Sequence, residues 1–282
     1  MKIKYLFGGC LFLAVLGIYL FLKLKPPTSV IPGEFEKQEA ILVAYEKLPP
    51  NQADLELLEN QRSTLIDIIA ACHTTVDIKV LVADKESHDS AKTHLASRNV
   101  ILDRIEFIHQ EFDSIWIRDY GPIQLNTPFG TRAWLDFDYH MPGDSWINDE
   151  GIRQQRSLDD NIPTYLAKRQ GVEVQSVDLV LHGGAIASNG ANILVISKAI
   201  FDWNQERYQL SPEQTRAKLT NCFPNLHIEY VAPLAHEPTK HVDMFLVFTS
   251  RNTVVVGSYS PQMDYLNHLR LNGVARQLSR LT

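Results

Sequence analysis

Cysteine is scarce in this chain. There are three in 282 residues, and Cys10 lies inside an N-terminal apolar run. So few thiols cannot build a disulfide framework. Glycine and proline, at 14 each, are too sparse for a collagen-like or low-complexity sequence. Basic charge is short as well. Four of the 27 basic residues stand in positions 1–25, which hold no acid, and the other 23 face 33 acidic residues. A body of that balance lacks the basic surface that nucleic acid requires, so no nucleic-acid partner is expected. There is no Gly-x-Gly-x-x-Gly, no phosphate loop and no Gly-x-Ser-x-Gly elbow. Dinucleotide, nucleotide and serine-hydrolase chemistry therefore have no support. What remains, 45% apolar and 21% charged, is an ordinary globular composition.

One long hydrophobic run is present. Tyr5 to Leu22 is 18 residues without a charge, bracketed by Lys2 and Lys4 on one side and Lys23 and Lys25 on the other. As a helix it spans about 27 Å, close to the hydrocarbon thickness of a bilayer. No small-residue cleavage site follows it, so it reads as an uncleaved signal anchor rather than a removed signal. Lysines at both ends give no clean orientation. Most of the apolar core follows Cys10, which reads as a thiol in an apolar helix rather than a lipidation site. The expected organisation is a transmembrane anchor over 1–25, a stiff linker over 26–30 containing Pro26-Pro27, and a body over 31–282 on the exported side of a membrane.

Within the body, β-like runs alternate with amphipathic helices. Strands are expected at Ile41–Tyr45, Val76–Val82, Ile105–Ile108, Ile115–Ile117, Ile193–Ile196, His227–Ala232, Met244–Thr249 and Thr253–Gly257. Asp54 can cap a helix whose apolar stripe is Leu55, Leu58, Leu65, Ile68 and Ile69. Further helices are expected around Ser87–Ala96, Pro163–Arg169 and Pro212–Thr220. Helices that regularly interrupt strands indicate an α/β or α+β architecture.

Three clusters carry residues suited to chemistry. In Trp116-Ile117-Arg118-Asp119-Tyr120-Gly121-Pro122 an apolar run meets Arg-Asp and breaks at Gly-Pro, so Asp119 sits at an element end; a surface ion pair before a turn is the plain alternative. In His182-Gly183-Gly184 the paired glycines allow close backbone approach or positive φ, and a hairpin turn is the alternative. In His236-Glu237-Pro238-Thr239-Lys240-His241-Val242-Asp243, an extended backbone would put His241 and Asp243 on one side. Such a pair serves as an acid/base unit, as two metal ligands, or as nothing more than a satisfied core histidine.

Together these motifs resemble the agmatine deiminase and bacterial-type peptidyl-arginine deiminase family of the guanidine-modifying superfamily, from about residue 31 onward. Ile31 to Ala40 is similar to its opening segment. Trp116-x-Arg118-Asp119-x-Gly121-Pro122 is similar to its most specific motif, and His241-Val242-Asp243-Met244 to its His-x-Asp-Met signature. The resemblance implies a five-fold pseudo-symmetric α/β propeller of ββαβ units. It also implies a C–N hydrolase converting a guanidino group, agmatine or peptidyl-arginine, to a ureido product and ammonia through a thiouronium, with no metal and no cofactor. Asp119 and Asp243 would clamp the guanidinium, His241 would shuttle protons, Trp116 would pack on the cation or its stem, and Gly183 and Gly184 would line the site. All are expected in one concavity.

Two departures stand out. The family's nucleophilic cysteine lies about a hundred residues beyond the His-x-Asp pair. Here 39 residues follow Asp243 without one, so no nucleophile is identified; Cys72 and Cys222 lack the family's context. The last blade is correspondingly expected to be missing. His182 stands where members commonly carry an acid. A catalytically inactive, membrane-tethered guanidinium binder is the competing reading, and a metal hydrolase built on His236, His241 and Asp243 the third.

Overall fold

A computed structural model describes residues 29–45, 55–127, 132–140 and 156–281. The Tyr5–Leu22 segment, most of the linker and Asp54 lie outside the described residues. Among those described, no helix is long and apolar enough to cross a membrane.

The chain is an α/β protein with four small sheets among its described residues. In the first, β1 (Ala40–Tyr45), β2 (Asp77–Val82) and β3 (Ile105–His109) run parallel, with α1 (Leu55–Cys72) and α2 (Lys85–Ser97) as crossovers. Helices cover this sheet, so its strands bury near-continuous apolar runs such as Val80-Leu81-Val82. The buried stripe of α1 is Leu58, Ile66 and Ile69, while the expected Ile68 is exposed. Ile66 and Ile69 point inward, and Asp67 and Ile68 are left on the solvent face. Asp84 caps α2 through a reciprocal bond with Ser87.

The next two sheets share one plan. Strands β4 (Ile123–Asn126) and β5 (Arg132–Asp138) form an antiparallel pair, and β6 (Glu173–Val180) returns parallel to β5 after helix α4 (Ile162–Gln170). Here α3 is kept for the short helix Ile117–Tyr120 that precedes β4. Strands β7 (Ile186–Ser188) and β8 (Ile193–Ser197) again pair antiparallel. Helices α5 (Ala199–Tyr208) and α6 (Pro212–Cys222) then lead to β9 (His227–Val231), parallel to β8. A last hairpin of β10 (Leu246–Ser250) and β11 (Thr253–Val256) is followed by α7 (Tyr265–Leu278). The β–β–α–β unit thus appears twice, and its β–β–α part a third time. Leu271, Val274 and Leu278 of α7 close a core with Phe245, Leu246 and Phe248.

One expected strand is absent. Ile115–Ile117 is not extended: Ile117 N–H bonds Ile115 O (2.8 Å), Asp119 N–H bonds Trp116 O (2.8 Å), and α3 follows. Trp116 and Arg118 therefore do not share a pleated face. The cause is tertiary. Asp159 seizes Asp113 and Ser114 from 45 residues away and turns the chain before a strand can form.

Candidate active site

Asp119 is held in place from behind. Asp159, with no solvent exposure, accepts bonds from Asp113 N–H (2.7 Å), Ser114 N–H (3.0 Å) and Ser114 O–H (2.7 Å). Tyr120 O–H donates to Ser114 O (2.7 Å), which ties α3 to the same turn. The Asp159 carboxyl is nevertheless pushed up to about 6, because its burial outweighs those bonds.

The paired glycines connect Asp119 with the His241 loop. Gly184 N–H donates to Asp119 Oδ1 (3.2 Å), and Gly184 O accepts from Val242 N–H (2.9 Å) and Asp243 N–H (3.2 Å). A Cβ on Gly184 would lie 2.4 Å from His241 Nδ1 and 2.5 Å from Asp119 Oδ1; one on Gly183 would lie 1.9 Å from Arg118 O. Neither glycine has positive φ among the residues so identified, so close approach is what requires them. They open the turn into β7 rather than forming a hairpin tip.

His241 and Asp243 are not on an extended segment either. They sit on a tight loop in which His236 and Lys240 both take φ near +60°. Glu237 holds that loop, accepting from His241 N–H (3.2 Å), Thr239 N–H (2.9 Å) and Thr239 O–H (2.6 Å). The period-two reasoning fails here, yet the turn still delivers His241 to Asp119: His241 Nδ1 lies 3.4 Å from Asp119 Oδ1. Asp243 is more open. Arg118, which also pairs with Glu34, brings its Nε to 3.6 Å from Asp243 Oδ2. A small cavity beside this ion pair is lined by Glu34, Arg118, Ser188, Asp243 and Phe248.

His182, read from sequence only as a departure, proves to be part of the site. It is fully buried, stacked on Trp203 at 4.5 Å and 22°. Its Nδ1 is 3.1 Å from His241 Nε2, and its Nε2 is 3.0 Å from His140 O. The indole that reaches the histidine pair is thus Trp203, with its ring 6.3 Å from that of His241, and not Trp116, which is 53% exposed. Trp203 lies on α5, an element the sequence reading did not identify. Its only sequence signal was the apolar spacing of Ala199, Ile200 and Trp203.

Burial dominates the electrostatics. It raises Asp119 to about 7, with the negative charge of Asp243 adding to the effect and Arg118 opposing it. Asp243 is raised by burial too, while Arg118 pulls it down and Glu34 pushes it up. Burial lowers His241 to about 4, although Glu237 favours its charged form. His182 is lowered to about 3 by burial and by His241. At neutral pH both imidazoles are uncharged. The cluster can therefore hold and move a proton, and Asp243 and Glu34 already pair with a guanidinium, that of Arg118.

Both nitrogens of His241 are engaged, and His236 is exposed. Among the described residues no group of three His, Cys, Asp or Glu could hold a metal. Cys72 is partly buried against the core of the first sheet. Cys222 packs beside Phe223, where burial raises its thiol above the ordinary value. Neither has the electropositive, exposed surroundings of a reactive thiolate.

The sequence model of the Porphyromonas-type peptidyl-arginine deiminase family matches residues 30–282, and the chain belongs to that family. A protein of Latilactobacillus sakei described as a putative agmatine deiminase is 22% identical over 240 residues, covering 83% of this chain and 62% of the relative. The agmatine deiminase of Stutzerimonas stutzeri is 26% identical over 203 residues, covering 68% and 52%. The chain thus spans between half and two thirds of the length of these relatives. Among solved structures, C. jejuni agmatine deiminase with substrate bound superposes with a TM-score of 0.72 at 20% identity, over 92% of this chain and 73% of that one. The agmatine deiminase of Enterococcus faecalis gives 0.72 at 18% identity, over 90% and 67%. At these identities the superpositions establish the fold.

Proposed function

We propose that the cluster around Gly184 is a guanidinium site of the deiminase type, belonging to a C–N hydrolase that converts agmatine or peptidyl-arginine to a ureido product and ammonia. The observation that carries this reading is the convergence of Asp119, His241 and Asp243 on one glycine. A guanidinium is planar and rich in N–H donors, and two carboxylates can hold it bidentately. Asp119 and Asp243 are assigned that role. His241 moves the proton, and Trp116 covers the ligand from the rim. The internal pairing of Arg118 with Asp243 and Glu34 supports the choice of cation.

In this reaction class a thiolate attacks the guanidinium carbon, ammonia leaves, and water releases the product. Asp119, Asp243 and His241 are assigned the clamp and the acid/base role, but Cys72 and Cys222 are partly buried against hydrophobic clusters. Binding without a nucleophile stabilises ground and transition states alike and does not accelerate the reaction. The 282-residue chain is therefore expected to bind and not to turn over. We further assign the repeated β–β–α–β units as blades of an α/β propeller, and residues 1–25 as a membrane tether with the body exported. That tether rests on the 18 uncharged residues between lysines.

Calorimetric titration with agmatine and with a blocked arginine peptide, alongside an ammonia assay, tests the reading. Binding lost in Asp119→Asn and Asp243→Asn, without ammonia, is the expected result. No binding of either ligand would refute the site. Ammonia release abolished by Cys72→Ala or Cys222→Ala would refute the missing nucleophile.

A further inference from the structure

The position before the paired glycines carries a histidine in place of the acid common in the family, and its surroundings dictate what that histidine can do. His182 Nε2 lies 3.0 Å from His140 O. A carbonyl oxygen only accepts, so Nε2 must carry the hydrogen. His182 is fully buried between Trp203 and Tyr139, whose ring centroid is 4.8 Å away, and has no carboxylate partner among the described residues. An imidazolium there would be an unpaired buried charge, so the ring is neutral and its Nδ1 is a bare acceptor. That Nδ1 is 3.1 Å from His241 Nε2, which must then be the donor. A neutral His241 with its hydrogen on Nε2 has a lone pair on Nδ1, and this atom faces Asp119 Oδ1 at 3.4 Å.

Two lone pairs facing each other at that distance repel, and one proton between them removes the conflict. We propose that His182 is a positioning residue that fixes His241 as the Nε2–H tautomer, so that His241 Nδ1 and Asp119 together carry a single mobile proton. The directions already given agree with this: Asp119 is raised and His241 lowered by the same burial. Around the pair, Glu237 and Asp243 favour retention of the proton, and Arg118 opposes it. The pair titrates as a unit, and neither value belongs to one residue alone.

The device has a consequence for the proposed guanidinium site, and this part alone rests on that reading. Asp119 can clamp a cation only when ionised. When a guanidinium docks, the proton on Asp119 passes to His241 Nδ1: one O–H bond breaks, one N–H bond forms, and the site exchanges none with solvent. The product is a carboxylate against the ligand and an imidazolium holding the proton that a departing amine would need. His182 cannot itself touch the ligand, since it is fully buried. The residue that stands in place of the family's acid thus sets the proton register behind the ligand.

The test is long-range 1H–15N correlation on the full chain labelled with 15N-histidine. At pH 7, with no ligand, His241 should show a protonated Nε2 and a bare Nδ1, and His182 the same pattern. His182→Gln should preserve the His241 pattern, because the amide can donate to His140 O and accept from His241 Nε2. His182→Phe should lose it, giving a mixture of tautomers. The wild-type spectrum is decisive even where the Phe variant fails to fold. A hydrogen on His241 Nδ1 alone, or a doubly protonated His241 at pH 7, would overturn the proposal. So would a folded His182→Phe whose His241 is unchanged. None of these readouts requires ligand binding, so the tautomer and the guanidinium site succeed or fail separately.

Discussion

The two halves of the site use the same kinds of group and are built in opposite ways. His241 and His182 are buried and Asp119 nearly so, their polar atoms fixed by backbone partners and by one another. Asp243, Arg118 and Glu34 sit at the opening, where side chains are between about a third and a half exposed. In the inner half, burial overrides every neighbouring charge: a carboxyl rises to about 7 and a histidine falls to about 4. In the outer half a plain ion pair suffices. On the proposed reading, the proton moves where water is excluded and the cation is recognised where it enters.

If the inner half depends on fixed backbone partners, its supports should be costly to remove. Asp159→Ala leaves the N–H groups of Asp113 and Ser114 without an acceptor in a buried turn. At about 1–3 kcal/mol for each orphaned donor, the loss should reach about 2–6 kcal/mol, read as a fall in the urea midpoint. Guanidinium binding should weaken with it, since α3 hangs from that turn. Gly184→Ala should come next. Its methyl would meet His241 Nδ1 and Asp119 Oδ1, both held by other bonds, and overpacking of that kind costs about 1–3 kcal/mol. Loss of binding larger than loss of stability would mark the glycine as a spacer in the site. A variant that binds normally would show that the inner half is looser than described.

A smaller effect separates the halves by pH. The folded-state value of His182, about 3, lies below that of an unfolded histidine, near 6.5. The unfolded chain therefore takes up a proton first as the pH falls. The contribution of His182 to stability is complete above about pH 6.5 and is lost progressively toward pH 3, by at most about 1.4 kcal/mol per pH unit. Asp159, raised to about 6, works in the other direction, gaining stability as the pH falls through that value. His182→Gln should consequently lose less stability than the parent between pH 6.5 and 4.5 in chemical denaturation. Equal slopes for the two proteins would contradict the burial of a neutral His182.

The outer half should respond least. Removing Arg118 breaks exposed ion pairs worth about 0–1 kcal/mol, so stability should hardly change. The cation that occupies Asp243 and Glu34 is then gone, and agmatine should bind up to about five-fold more tightly, the fold-change corresponding to about 1 kcal/mol. Weaker binding in Arg118→Ala would instead make Arg118 a support of the clamp.

Much of this was legible before any coordinates. The motifs named Asp119, Gly183, Gly184, His241 and Asp243, and strands rich in β-branched residues, such as β2 and β8, stood out by composition. What could not be read follows from contacts distant in sequence. Ile115–Ile117 looks like a strand locally and is bent by Asp159, 45 residues on. The polar-rich β6 and short β7 gave no apolar run long enough to register. His241 and Asp243 converge through a loop with two positive-φ residues, not through strand alternation. Trp203 and the buried side of His182 become visible only when α5 packs against β6, where Asn204 Nδ2 bonds Val180 O (3.0 Å) and its Oδ1 accepts from Val180 N–H (2.9 Å). Trp203 reaches the histidine pair through that packing and not through a motif.

The most direct test of the central claim is a crystal structure of the chain with agmatine at pH 8. The guanidinium should lie between Asp119 and Asp243, with both carboxylates on its N–H groups, Arg118 displaced from Asp243, and His241 Nδ1 facing Asp119. Agmatine seated elsewhere, with the Arg118–Asp243 pair intact, would contradict it.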